Sequence, residues 1–318
     1  MATVLGIASD GRGFTIDGEP MFLLGASYFA GLGACEEFLA DDLADLKRRR
    51  FNWLRVWATW AAFGNDVSAV DAAGEEREPY LDRLVALCRR ADEMGLVVDV
   101  TLSRGEAVMG PVAPGDDEAH VAAAALLAEA LAGLRNVYFD LANERNVGDA
   151  RGVPIATVRR LRDRLKAVDP SRLVTASHAG DVEGDVLYDY LAAAKVDFLA
   201  VHRPREAGSP AATEVKTRNL LRRVERLGRK VPVHYQEPFR RGWGDWQPQP
   251  ADYLADLAAA LAGGAAGWCL HNGHTAGAAD GRPRRCFDMR PSEGRLVDQL
   301  DDGERTVLRQ AGKTIWGD

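Results

Sequence analysis

Cysteine is scarce in this 318-residue chain. Its four thiols, Cys35, Cys88, Cys269 and Cys286, form no CxxC pair, so neither a zinc framework nor a dithiol redox motif is on offer. Cys88 and Cys269 fall in apolar periodic runs and read as core thiols, while pairing of Cys35 with Cys286 stays open. Long hydrophobic runs are missing too: no stretch reaches the roughly 18 apolar residues of a bilayer span. Met1-Ala-Thr-Val-Leu-Gly6 lacks the basic segment and apolar run of a secretory leader. The expectation is a protein without membrane contact, cytoplasmic, or secreted if a leader has been removed. The net charge of -7 is spread along the chain with no basic stripe, which argues against nucleic acid as a partner. The clusters Arg48–Arg50 and Arg222–Arg223 lie in helical segments and read as solvated faces. No composition break or linker divides the chain, so residues 1–318 are expected to form one domain. Oligomeric state is not legible.

What the sequence does have is a rhythm. After a small hairpin within residues 1–20, turned at Asp17-Gly18, short apolar runs alternate with amphipathic segments. The runs are Met21–Phe29, Asn52–Trp60, Leu96–Arg104, Asn136–Asn146, Leu173–His178, Val196–Arg203, Val231–Phe239 and Ala265–Asn272. Between them lie helical stripes such as Leu39/Leu43/Leu46, Leu81/Leu84/Val85/Cys88, Val158/Leu161/Leu165/Val168 and Leu254/Leu257/Leu261. Gly95, Gly228 and Gly263 stand where helices should stop. Eight strands alternating with helices predict an α/β fold with a parallel sheet, closed as a single (β/α)8 TIM barrel. The competing doubly wound sheet needs a Gly-rich phosphate turn after its first strand, and Gly31-Leu-Gly-Ala-Cys35 lacks the third glycine. The longest irregular stretch, residues 274–303, follows the last strand and should overhang the catalytic face.

Barrel enzymes carry their chemistry where the strands end. Polar residues at those ends are Arg55 and Trp57 on strand two, Asn143 and Glu144 on strand four, His202 on strand six, and Tyr235 and Glu237 on strand seven. Trp268, His271 and Asn272 end strand eight. A strand period of two puts Tyr138, Asp140, Ala142 and Glu144 on one face, and Phe198, Ala200 and His202 on another. The same rule groups Val231, Val233, Tyr235 and Glu237. One carboxylate after an apolar strand is commonly a helix cap. Two at separate strand ends fit glycoside hydrolysis, which needs one acid to protonate the leaving oxygen and one carboxylate to attack or activate water.

On these residues the chain resembles clan A glycoside hydrolases, and is most similar to glycoside hydrolase family 5 and its relatives. Asn143-Glu144 matches the Asn-Glu acid/base motif, Glu237 the strand-seven nucleophile, and Arg55, His202 and Trp268 the family's strand-two Arg, strand-six His and strand-eight Trp. The entry Ile16-Asp-Gly-Glu-Pro-Met-Phe-Leu-Leu-Gly25 is similar as well. There are departures. Thr101, Ser103 and Arg104 stand where a strand-three His is usual, and Pro204 where a Tyr follows the strand-six His, a phenol that Tyr235 would supply instead. The resemblance implies a retaining β-glycoside hydrolase acting on a β-linked oligo- or polysaccharide or glycoside, with no cofactor or metal.

The expected roles follow. Glu144 is the acid/base, protonated at rest with a raised pKa. Glu237 is the nucleophile, kept ionised by Arg55. Asn143 binds the sugar 2-hydroxyl, which requires a distorted strand end because neighbours on a regular strand face opposite ways. His202 positions Glu144 or a hydroxyl, and Trp57, Trp268 and Tyr235 bind substrate. Trp243 and Trp246 line further subsites. Rival readings are a non-catalytic sugar-binding barrel and barrel hydrolases of other classes. A Schiff-base enzyme is disfavoured because Lys195 and Lys230 precede their strands. A metal-dependent hydrolase is disfavoured because His271 and His274 have no evident third ligand.

Overall fold

The computed structural model describes residues 2–105, 113–242, 245–274 and 285–317; Trp243 and part of the long stretch after the last strand lie outside the described residues. The chain opens with three short antiparallel strands, β1 (Leu5–Ile7), β2 (Phe14–Ile16) and β3 (Glu19–Met21). Asp17 and Gly18 both take positive φ, 55° and 86°, in the two-residue turn between β2 and β3. The hairpin of the sequence thus gains a third strand.

The larger sheet contains β4 (Leu23–Tyr28), β5 (Trp53–Trp57), β6 (Val97–Thr101), β7 (Val137–Asp140), β8 (Val174–Thr175), β9 (His178–Ala179), β10 (Leu199–His202), β11 (Val233–Glu237) and β12 (Gly267–Leu270). All pairings in it are parallel, in the order β8-β7-β6-β5-β4-β12-β11-β10-β9. Strands β8 and β9 are two halves of one short segment interrupted at Ala176 and Ser177. Both edges of the sheet therefore belong to the same stretch of chain, and the sheet closes into the eightfold barrel. The intervening helices are α1 (Glu36–Arg48), α2 (Tyr80–Glu93), α3 (Asp117–Ala130), α4 (Ile155–Val168), α5 (Asp185–Tyr188), α6 (Ser209–Arg226), α7 (Pro250–Gly263), the short α8 (Leu296–Gln299) and α9 (Asp302–Trp316). No helix among the described residues is long and apolar enough to cross a membrane.

Side-chain alternation fills two cores. Leu23, Trp53, Val97, Tyr138, Phe198, Ala200 and Cys269 pack inside the barrel, with Leu5 and Phe14 of the first sheet closing its lower end. The outward residues join the helices in a second, larger core. The stripes of α1, α2 and α4 lie against the sheet as their spacing predicts. On α7 the buried face is Tyr253, Asp256, Leu257 and Ala260, whereas Leu261 is exposed. The face is rotated because Trp268 reaches outward to Asp256, as described below. Helix α7 also runs one residue past expectation: Gly264, not Gly263, takes the left-handed φ of 90° after it. All four cysteines are free thiols, so Cys35 and Cys286 do not pair.

Candidate active site

Arg55 organises the upper end of the barrel. It projects inward from β5, wholly buried, with Nε donating to Thr101 Oγ1 at 3.0 Å. One terminal nitrogen serves both Asp140 Oδ2 (3.0 Å) and Asn143 Oδ1 (2.8 Å), and the other donates to Glu237 Oε1. Its ring neighbour is Trp57, 4.9 Å from the guanidinium. Burial works against the Arg55 charge, but Glu237, Asp99 and Asp140 outweigh it and raise the pKa. Beneath it, Asp99 is pushed up to about 8, chiefly by burial, and accepts from Tyr138 and Gln236 at 3.1 and 2.7 Å.

Two local distortions aim the carboxylates. Along β10 and β11 the register shifts: Ala200 pairs with His234, but His202 pairs with Glu237, so β11 carries one extra residue. This bulge re-aims Glu237 toward the barrel axis directly after the inward Gln236. After β7, Glu144 takes φ 46°, a left-handed conformation that costs a non-glycine residue of the order of 1 kcal/mol. Its N–H is held by Ser177 Oγ at 2.9 Å, in the break between β8 and β9, and Asn143 N–H is held by Leu102 O at 2.8 Å. Both neighbours thereby reach the site, which a regular strand forbids.

The two carboxylates meet at His202. Its Nδ1 lies 3.1 Å from Glu144 Oε1 and 3.5 Å from Glu237 Oε2. Glu237 Oε2 is also 2.8 Å from Arg205 and 3.1 Å from His271 Nε2. Burial would raise the Glu237 pKa, but His202, His271 and Arg55 hold it well below the usual carboxylate range. Arg55 supplies the permanent charge among these, since burial takes His271 down to about 3. For Glu144, burial and the charge of Glu237 push upward, yet the hydrogen bond from His202 prevails and the pKa is lowered. The direction differs from the raised acid that the sequence leads one to expect. One ligating atom from each of Glu144, His202 and Glu237 lies within 4.8 Å of the others, a spacing a metal ion also suits. Arg205 and Arg55 bonded to Glu237 disfavour a cation there.

Six of the sequence-predicted residues thus converge: Glu144, Glu237, Arg55, Asn143, His202 and Trp57. Two do not. Trp268 points away from the barrel axis, its indole N–H donating to Asp256 of α7 at 2.7 Å, because Cys269 beside it fills the interior. Tyr235 also faces the helices, its hydroxyl 2.6 Å from Thr217 of α6, since the bulge separates it from Glu237. It supplies no phenol to the site. Trp268→Phe should therefore lower stability by roughly 1–3 kcal/mol, by leaving the buried Asp256 carboxyl with Thr213 as its remaining donor, and leave kcat/KM within about twofold. Denaturant melts and steady-state rates on the same preparation check both halves. Arg104, at the end of strand three, turns toward His120 and Asp117 of α3.

The cleft is lined by Phe29, Trp57, Trp60, Phe63 and Phe287 on one side, and by Asn143, Glu144, Arg151, Arg205, Glu237 and Arg240. Phe287 comes from the long stretch after β12. Trp246 packs on Phe239, ring centroids 4.9 Å apart. Arg151, Arg205 and Arg240 are absent from the sequence reading because they sit in loops, where no periodicity marks facing. A larger concavity of about 780 Å³ lies at the opposite end, between the first sheet and α6 and α7. Its lining includes Asp10 and Glu225, and Glu225 is paired with Arg12.

No family model and no curated protein matches the chain. Solved structures do. A protein described as a glycoside hydrolase superposes with a TM-score of 0.70 at 16% identity, covering 98% of this chain and 73% of its own. An exo-beta-1,4-mannosidase from Opitutaceae bacterium strain TAV5 gives 0.68 at 18%, over 98% and 63%. The endo-1,4-beta-mannanase of Rhizomucor miehei gives 0.67 at 14%, over 99% and 100%. The chain shares the barrel fold of these glycoside hydrolases and of others described as family 5 proteins.

Proposed function

We propose that this protein is a retaining β-glycoside hydrolase, with Glu237 as nucleophile and Glu144 as acid/base. The observation that carries the reading is the approach of the two carboxylates from separate strands, with one oxygen of each within 4.8 Å of the other. Retaining enzymes hold their carboxyl groups about 5–5.5 Å apart, whereas inverting ones leave about 6.5–9.5 Å for a water. The electrostatics agree. Glu237, bonded to Arg55, is an ionised nucleophile. It attacks the anomeric carbon while Glu144 protonates the departing oxygen, and Glu144 then takes a proton from the water that releases the sugar. Asn143, fixed by Arg55, is the residue that binds the sugar 2-hydroxyl in this reading. The mannosidase and mannanase among the structural neighbours support a β-linked sugar.

Proton NMR of the first-formed anomer from an aryl β-glycoside tests the mechanism: the β-anomer is expected, and the α-anomer would overturn retention. Glu144→Gln provides a second check. Cleavage of substrates with poor leaving groups should fall by roughly 10²- to 10⁴-fold, and activated aryl glycosides should form the glycosyl-enzyme with far less loss. Activity needs Glu144 protonated, so it declines as pH rises through that pKa. Because His202 lowers it, the decline of kcat/KM should begin on the acid side of an ordinary glutamic acid enzyme, and Glu144→Gln should lack this limb. Equal losses on both substrate types would assign Glu144 a structural role.

A further inference from the structure

We propose that the enzyme works from chain ends: its cleft takes the terminal, non-reducing sugar of a β-linked glycan, or the sugar of a simple β-glycoside, and leaves no place for a further sugar beyond it. This rests on the glycosidase reading of the same site. Direction is the first argument. The acid protonates the oxygen that departs, so the leaving group lies on the side of Glu144. In a pyranose, C4 stands across the ring from C1. A sugar attached there points away from the departing oxygen, and so away from Glu144. Glu144 follows β7. With β8 and β9 counted as one strand, β12 is four strands from β7 in either direction around the barrel, and β4 stands beside it. The far end of the cleft is therefore the rim of β12 and β4.

That rim is walled with aromatic rings, and the packing of the wall is the second argument. Phe29 follows β4, Trp57 ends β5, Trp60 and Phe63 follow it, and Phe287 comes from the segment after β12. All five line the cleft that holds both catalytic carboxylates. An aromatic platform in an open groove keeps one ring face bare for the next sugar. Here Phe29, Trp57, Trp60 and Phe287 are 2, 5, 3 and 2% exposed, because the rings cover one another. Phe29 meets Phe287 edge to face at 4.7 Å, and Trp60 lies 5.3 Å from Phe29 and 5.6 Å from Phe287. Phe63 closes against Phe287 at 5.2 Å, on a backbone with φ 57° that bulky residues avoid.

The wall is also fixed in place. Asn65 Nδ2 donates to Phe287 O at 3.1 Å, which ties the segment after β12 to the loop after β5. That loop is folded back on itself by Val67 N–H donating to Trp60 O at 2.9 Å. The space left between wall and carboxylates is about 70 Å³. Sites that take extended ligands run to roughly 300–1,000 Å³. The cleft is a recess for one ring and not a trough for several.

The test uses the intact chain and two substrate sets. One is β-1,4-linked hexaoses of glucose, mannose and galactose labelled at the reducing end. The other is p-nitrophenyl β-glycosides of one and of two such sugars. The first products of a cleaved hexaose should be the monosaccharide and the labelled pentaose. Nitrophenol release from a monoglycoside should exceed direct, lag-free release from the bioside by roughly 100-fold or more in kcat/KM. Labelled dimers to tetramers among the first products, or comparable direct release from the bioside, would overturn the proposal while leaving the glycosidase reading intact. Phe287→Ala and the half-buried Phe63→Ala each remove a ring from the wall. At least one should raise direct release from the bioside, relative to the monoglycoside, by about tenfold. No rise in either folded variant would overturn the wall as the block, and if neither folds the product pattern of the native chain decides. If no glycoside is cleaved, calorimetric binding of the methyl β-glycosides of glucose, mannose and galactose and of their 4-O-methyl ethers decides. A loss of about tenfold or more on etherification would uphold the closed pocket and remove the hydrolase reading, whereas equal binding, or none, would remove the inference.

Discussion

Glu237→Ala should cut turnover of an aryl β-glycoside by roughly 10⁴- to 10⁶-fold, as removal of one member of a catalytic constellation does. The side chain ends β11 at the mouth of the barrel, so truncation costs charge and contacts at the site more than core packing. It also frees a pocket beneath the anomeric carbon, walled by Arg55, His271 and Arg205, all of which now face an empty space built for an anion. Azide fits that description. Added azide should restore part of the cleavage of an activated substrate and yield an α-configured glycosyl azide, because it enters from the face the carboxylate used. Product analysis by NMR reads the configuration. Near-normal activity in the variant, or rescue giving the β-azide, would remove Glu237 from the nucleophile's place.

Much of this site was legible because strand order and strand ends are written in hydrophobic pattern. The alternation of apolar runs and helical stripes placed Arg55, Asn143, Glu144, His202 and Glu237 at one end of a barrel, and there they meet. Where the reading failed, it failed at a physical irregularity. A period of two placed Tyr235 with Glu237, but the extra residue on β11 breaks that period between them. Trp268 matched by position in the strand order, yet Cys269 next to it occupies the interior and sends the indole to Asp256. A bulge and a left-handed Glu144 arise from pairing across the sheet, which local pattern does not encode.

The acid's charge state was equally invisible. Proximity of two carboxylates argues for a raised pKa on one of them, and burial adds to it. The outcome is set by the hydrogen bond from His202, 3.1 Å away and far along the chain. The arginines of the cleft escaped for another reason. Arg151, Arg205 and Arg240 lie beyond strand ends in loops, where an arginine and a solvated surface residue look alike in sequence.

Arg55→Met should lower stability by roughly 3–5 kcal/mol at neutral pH. Methionine fills much of the volume but leaves Asp140 without its cation and Glu237 with Arg205 alone of its two arginines. The pH dependence separates this from a packing defect. In the native protein Glu237 is held well below its unfolded value of about 4.3, so its contribution is complete above that value and is lost as pH falls through the folded pKa. Without Arg55 the Glu237 pKa rises, although His202, His271 and Arg205 still oppose burial. A raised carboxyl costs nothing below its unfolded pKa and costs progressively more as pH climbs through the window between the two values. The deficit of Arg55→Met should therefore grow from about pH 4 to pH 7. Asp99 adds little to that slope, since its pKa of about 8 already keeps most of its proton on. Catalysis should follow the same shift: activity requires ionised Glu237, so the acid limb of kcat/KM moves to higher pH. Arg55→Lys keeps the charge and should move that limb less, while losing the fork that joins Asp140, Asn143 and Glu237. Denaturant unfolding of the three proteins at pH 4 and pH 7 decides the matter. A deficit under about 1 kcal/mol at pH 7, or one independent of pH, would mean that Arg55 fills space and does not hold the nucleophile ionised.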